Sequence, residues 1–225
     1  MFEAVIFDMD GLMFDTEAMG LAANHGALLA QGRTLGREES DALFRQVLGM
    51  IERDSRRVYS ALLGEDFDFD RWRADFRRQL EGELHKSGTP LKPGLMELLN
   101  FLDARGIRYA IASGSDRRRV ECCVECAGLT HRFGLIVCGD MVKAGKPEPE
   151  IFLITAEALK VRPERCLVLE DSPNGIKAAV RAGMKAVMVP DLIQPTDIER
   201  ETAFYIVDSL YDIPAMIDRE NGAGL

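Results

Sequence analysis

The chain has 225 residues, 47% hydrophobic and 29% charged, and carries a formal net charge of -9 with a sequence pI near 5.0. That composition fits one large folded domain or two unequal ones and excludes a disordered chain. The acidic balance argues against a broad cationic surface for nucleic acid or anionic membrane, so a phosphate ligand would need local positive charge from a metal ion or a few lysines.

The opening M-F-E-A-V-I-F-D has no basic lead and no apolar stretch of signal-peptide length, and no run approaches the roughly 18 to 20 apolar residues of a membrane span. A cytoplasmic protein is expected. Glu3 to Phe7 is the first of six short apolar or β-branched runs; the others are Arg108 to Ala112, Leu135 to Cys138, Cys166 to Leu169, Ala186 to Val189 and Phe204 to Val207. Short runs without alternation are the pattern of parallel strands buried on both faces. Helical patterns lie between most of them. Leu95, Leu98, Leu99 and Leu102 follow the i, i+3, i+4, i+7 spacing, with Pro93-Gly94 before and Gly106 after.

From about Thr16 to Lys86 the alternation stops and the pattern is helical throughout. Leu43, Phe44, Val47 and Leu48 form one apolar stripe; Trp72, Phe76, Leu80 and Leu84 form another, read as bundle core. Gly32, Gly49 and Gly64 mark breaks that give roughly four helices. The expected fold is therefore α/β, a doubly wound parallel sheet with a helical bundle inserted after its first strand. Residues 1–15 and 88–225 form the core and 16–87 the insert, with hinges near Phe14 to Thr16 and Ser87 to Pro90. Glu220 to Leu225 read as a frayed tail. Of the five cysteines, Cys122, Cys123 and Cys126 crowd one predicted helix, which excludes a disulfide framework. Cys123-x-x-Cys126 has neither a second C-x-x-C nor paired histidines nearby, so all three read as small core residues.

In an open parallel sheet the ligand crevice lies at the carboxyl ends of the strands. Asp8, Asp10 and Gly11 follow the first run; Ser113, Gly114 and Ser115 follow the second. Lys146 follows the third, within G-D-M-V-K-A-G-K-P-E-P, and Glu170-Asp171 follow the fourth. Singly, each has an ordinary explanation. An Asp after a buried strand is commonly a turn residue, and Ser172-Pro173 is a helix cap with proline at the first helical position. Ser115 and Asp116 are helix caps by the same logic, and Arg117, Arg118 and Arg119 read as mostly solvated. Together, in this order, they point to phosphoryl transfer.

Three carboxylates, Asp8, Glu170 and Asp171, would repel one another unless a cation neutralised them, and oxygen ligands with positions left for water suit Mg²⁺. A carboxylate can attack phosphorus, while a lysine and neutral donors such as Ser113 hold the phosphoryl oxygens. Asp10 lies in M-D-G, a turn that would swing its carboxyl away toward the insert and leave its carbonyl near the metal. There it would serve as acid and then base.

These motifs closely resemble the haloacid dehalogenase superfamily, in particular its branch of sugar-phosphate phosphatases and β-phosphoglucomutases. F-D-M-D-G-L-M-F-D-T-E is similar to that family's first motif, I-A-S-G-S to its second, G-D-M-V-K-A-G-K-P-E-P-E-I-F to its lysine motif and L-E-D-S-P-N-G-I-K-A-A-V-R-A-G-M to its acidic motif. The resemblance spans essentially the whole chain. It implies Asp8 as nucleophile, Asp10 as acid/base, Ser113 and Lys146 on phosphate, and Glu170 and Asp171 at the cation. The insert would be a helical cap whose Thr16 and Arg53 are candidates for the substrate's leaving group.

The implied activity is hydrolysis of a small phosphorylated metabolite, a sugar phosphate in this branch, with Mg²⁺ as cofactor and no protein, nucleic-acid or membrane partner. A mutase is the alternative enzyme; the histidine expected shortly after its first motif is missing from T-E-A-M-G. A dehalogenase lacks an aspartate matching Asp10. A sensor or scaffold keeping the fold without the chemistry would be expected to show a broken motif, and none is broken.

Overall fold

The computed structural model of the chain describes residues 1–48 and 50–222. Among these, β1 (Ala4–Phe7), β2 (Arg108–Ser113), β3 (Ile136–Cys138), β4 (Cys166–Glu170), β5 (Lys185–Met188) and β6 (Tyr205–Ile206) form one parallel sheet in the order β3-β2-β1-β4-β5-β6. Every strand lies within one residue of its expected bounds. In the central strands β1 and β4 alternate residues face two apolar layers: Val5, Phe7 and Leu169 point into one, Ala4, Ile6 and Val168 into the other. Burial on both faces is why the sequence shows runs and no polar alternation.

Four helices separate β1 from the rest of the core: α1 (Glu17–Ala30), α2 (Arg37–Val47), α3 (Glu52–Leu63) and α4 (Phe69–Ser87). Gly49, expected as a break, lies outside the described residues. Trp72, Phe76, Leu80 and Leu84 are buried as read, with Leu43, Phe44 and Val47 opposite them. The centre of this bundle is polar. Asn24, fully buried, accepts at Oδ1 from Tyr59 Oη at 2.7 Å and Trp72 Nε1 at 3.2 Å, and donates from Nδ2 to Ser40 Oγ at 2.9 Å. One side chain thus satisfies a donor or acceptor on each of the other three helices, so no buried polar atom of the set is left unpaired.

α5 (Leu95–Arg105) and α6 (Arg117–Cys126) pack on the same sheet face as the insert, and α7 (Glu150–Leu159) and α8 (Pro173–Arg181) on the other. After β5, α9 (Asp197–Thr202) leads to β6, and α10 (Ile213–Gly222) returns to the first face. The expected frayed tail is shorter than read. Residues 220–222 belong to α10, Glu220 accepts from Tyr205 Oη at 2.9 Å, and Asn221 Oδ1 accepts from the backbone N–H of Phe2 at 2.6 Å. Residues 223–225 lie outside the described part.

The two chain segments joining insert and core run side by side. Asp15 N donates to Pro90 O and Lys92 N to Met13 O, both at 2.9 Å, with Phe14 bridged to Leu91. The strand order reverses between β1 and β4, which opens a crevice at their carboxyl ends.

Candidate active site

Asp8 stands where β1 ends, its N–H bonded to Leu169 O on β4 at 3.0 Å. Lys146 reaches it from the loop before α7. Its Nζ donates to Asp8 Oδ1 at 2.5 Å, to Glu170 Oε1 at 2.6 Å and to the Ala112 carbonyl at 3.2 Å. Burial alone would pull the Lys146 pKa down, but Asp8 and Glu170 outweigh it and hold the ammonium above its ordinary range. Burial drives Asp8 the other way: against the pull of Lys146, and with Glu170 and Asp10 adding repulsion, its pKa rises from 3.8 to about 7. Asp171 is likewise raised well above the usual carboxylate range, by burial first and then by Glu170 and Asp8. The centre therefore concentrates more negative charge than its one lysine compensates.

The four sequence motifs meet here, but the carboxylates divide into two groups. Glu170 is fully engaged, with Oε1 on Lys146 and Oε2 accepting from Ser172 N at 2.9 Å and Ser172 Oγ at 2.8 Å. Ser172 also caps α8, accepting from Gly175 N at 3.1 Å. A Cβ on residue 175 would fall 1.8 Å from the Glu170 carboxyl, so only glycine lets that carboxylate pass under the helix. Asp171 instead lies over Gly11, where a Cβ would come within 2.3 Å of its Oδ2; Gly11 also adopts φ +82°, which favours glycine.

The Gly11 turn sends the Asp10 carboxyl toward the insert. Oδ1 accepts from Arg119 Nη2 at 2.7 Å and Thr16 Oγ1 at 3.1 Å, and Oδ2 accepts from Ser115 Oγ at 2.8 Å. Arg119 is a correction to the sequence reading, which left all three arginines in solvent. Arg117 and Arg118 do pair at the surface, with Glu121 and Glu81, whereas Arg119 turns inward and its Nε is buried without an acceptor. Ser115 serves Asp10, and Asp116 is the cap of α6, accepting from Arg119 N at 3.1 Å. Ser113, at the end of β2, is buried and accepts from Ser115 N at 3.1 Å; Gly114 follows it at the crevice.

Asp8, Asp10, Gly11, Thr16, Glu170 and Asp171 line a cavity of about 60 Å³, together with Arg119 and Asp191. Asp191 was missed. It follows the fifth strand, where the strand-end rule would have found it, and is paired with Lys92 at 2.6 Å. A second cavity, of about 130 Å³ and mostly apolar, begins at Asp10 and Ser115 and runs between Phe44, Trp72 and Phe76. Arg53 is not brought to Asp8. It lies on an exposed groove between insert and core, donating to Lys143 O at 3.1 Å.

The donor set around Asp171 fits a hard cation: two carboxylates, the buried Asp8 and the partly exposed Asp171, with uncompensated charge, and no sulfur or imidazole lining the cavity. Glu170, expected at the cation, is already held at both oxygens, by Lys146 and by Ser172.

Comparison with known proteins agrees with this architecture. A phosphorylated carbohydrates phosphatase of Thermotoga maritima is 32% identical over 188 residues, covering 82% of this chain and 83% of its own. The crystal structure of CbbY from Rhodobacter sphaeroides in complex with phosphate superposes with a TM-score of 0.81 at 26% identity, covering 95% of this chain and 96% of that one. A variant of CbbY bound to xylulose-(1,5)bisphosphate gives 0.82 at 27% identity over 94% and 96%. The haloacid dehalogenase-like hydrolase family matches residues 2–183. With that match over most of its length, this chain belongs to the haloacid dehalogenase-like hydrolases.

Proposed function

We propose that the chain hydrolyses the phosphate ester of a small phosphorylated sugar through a phosphorylated Asp8, with Mg²⁺ held by Asp8, Asp171 and the Asp10 carbonyl. The observation that carries this is the division of labour between carboxylates two residues apart: Asp8 faces the acidic centre, while Asp10 opens on the cavity lined by Phe44, Trp72 and Phe76 of the insert. Asp8 attacks phosphorus as the bond to the sugar oxygen breaks, and Asp10 gives that oxygen its proton. Water then attacks the aspartyl phosphate, losing its proton to Asp10 and releasing inorganic phosphate and free Asp8. Lys146 keeps Asp8 oriented, and Ser113 with the Gly114 N–H lies at the strand end where phosphoryl oxygens would be held. When bound, the cation supplies charge stabilisation for those oxygens. The insert acts as the cap, residues 16–87, over the core of 1–15 and 88–225; closure excludes bulk water and places the cavity beside Trp72 around the leaving group. Thr16, through Asp10, and Arg119, with a free buried Nε, are the side chains supporting that leaving-group side.

The test is phosphate release from a panel of phosphorylated sugars, nucleotides and small acids, ranked by kcat/KM, with wild type and Asp171→Asn, each with Mg²⁺ or excess chelator. Turnover should require Mg²⁺ and collapse in the variant. Undiminished release under chelator would refute the cation's role, and recovery of an isomerised phosphosugar in place of inorganic phosphate would refute the hydrolase reading.

A further inference from the structure

α4 carries two stripes set one residue apart. Trp72, Phe76, Leu80 and Leu84 face the bundle interior, while Arg73, Arg77, Glu81 and His85, with the same four-residue spacing, meet α6. Asp116 accepts from Arg73 at 2.7 Å and Arg77 at 3.0 Å; Glu81 accepts from Arg118 at 2.8 and 2.7 Å. The last rung has different chemistry. His85 Nδ1 lies 3.3 Å from Cys126 Sγ, and with Cys122 Sγ these three atoms all lie within 4.8 Å of one another. Among the described residues no other group of three His, Cys, Asp or Glu side chains meets that distance. Cys122 and Cys126 are four apart on α6, so their thiols share one face, and both are free. The C-x-x-C spacing of Cys123 and Cys126, set aside in the sequence as core, is not the pair that meets here, and the histidine lies 37 residues before Cys122.

We propose that His85, Cys122 and Cys126 bind one Zn²⁺ or a similar thiophilic divalent ion, with water as fourth ligand, across the seam between insert and core. Two thiolates and an imidazole are the donors that such ions prefer, at metal–ligand distances of roughly 2.0 to 2.3 Å, so side-chain rotations of well under 2 Å bring the three atoms onto one ion. His85 is exposed and Cys126 partly so, which leaves room for the water. Glu81 stays with Arg118. On binding, the two thiols release two protons to solvent and nothing is oxidised. The all-oxygen centre at Asp171 selects for a hard ion, so the two sites discriminate by donor type. Because His85 stands just before the segment that leaves the insert, an ion here fastens α4 to α6 at its last turn.

The test uses the reduced, metal-free full chain in excess Mg²⁺, titrated with Co²⁺. A near-ultraviolet thiolate-to-cobalt absorption band should grow to one ion per chain and vanish when Zn²⁺ is added. Cys122→Ser and Cys126→Ser should each abolish the band, and His85→Ala should weaken binding at least about tenfold. In wild type, needing no variant, Zn²⁺ should protect Cys122 and Cys126 from alkylation as read by mass spectrometry and should raise Tm. Absence of the band, a band that persists in either folded cysteine variant, two chains per ion, or unprotected thiols would each overturn the proposal.

Discussion

Asp8→Asn should inactivate the protein and, in the absence of divalent ions, stabilise it. Asp8 rises from 3.8 to about 7 on folding because it is buried beside Glu170 and Asp10, with only Lys146 in its favour. A carboxyl whose folded pKa lies above its unfolded one makes the folded state bind the extra proton between about pH 4 and pH 7, so its contribution to stability falls as pH rises through that window. Roughly three pKa units at about 1.4 kcal/mol each set a ceiling near 4 kcal/mol at pH 8. The amide keeps an oxygen for Lys146 Nζ but no charge, so we expect a net gain of about 1 to 4 kcal/mol, or a Tm rise of roughly 3 to 12 °C for a chain of this size. Thermal unfolding in chelator at pH 8, 6 and 4.5 reads it out: the advantage should be largest at pH 8 and fall to about a quarter of that at 4.5. Saturating Mg²⁺ should narrow the gap by stabilising wild type, and phosphate release should be lost in the variant throughout. A lower Tm at pH 8, or a shift independent of pH, would refute the claim that the acidic centre is over-charged.

Gly175→Ala would place a methyl 1.8 Å from a Glu170 carboxyl that is held at both oxygens, so Tm should drop by roughly 3 to 10 °C, about 1 to 3 kcal/mol, and differential scanning calorimetry would show an unchanged Tm if the carboxylate simply moved aside. Arg119→Ala should lower kcat by about tenfold to a hundredfold with a smaller change in KM, because Thr16 and Ser115 still hold Asp10; steady-state kinetics showing only a KM effect would remove Arg119 from the acid/base side. Asn24→Leu takes the acceptor from Tyr59 and Trp72 together, and urea unfolding should report a loss of about 2 to 5 kcal/mol, whereas a neutral result would mean that the bundle repacks around water.

The sheet was legible because six runs of one texture allow only a parallel arrangement buried on both faces, and the strand-end rule then located Asp8, Lys146, Glu170 and Asp171 from position alone. Arg119 was not legible: in Arg117-Arg118-Arg119 nothing local says which arginine the helix turns inward. The only cue was its place one turn before the buried Cys123. Asn24 was equally hidden, since a lone asparagine within a helix becomes a hub only once Tyr59 and Trp72 arrive from two other helices. The His85 cluster failed for the same reason, joining residues whose proximity depends on how α4 meets α6. Arg53, proposed from the resemblance, sits on a groove beside Lys143, so its reach to a leaving group depends on the position of the insert.

The paired stripes of α4 separate two kinds of cohesion by solvent sensitivity. One face is held by apolar burial, which added salt leaves intact or strengthens; the adjacent face is a row of partly exposed ion pairs from Arg73 to Glu81, which dissolved ions screen. Ionic strength thus acts on the joint between the two parts of the molecule and spares the interior of each. Buffer composition becomes a handle on how firmly the bundle rests over Asp8.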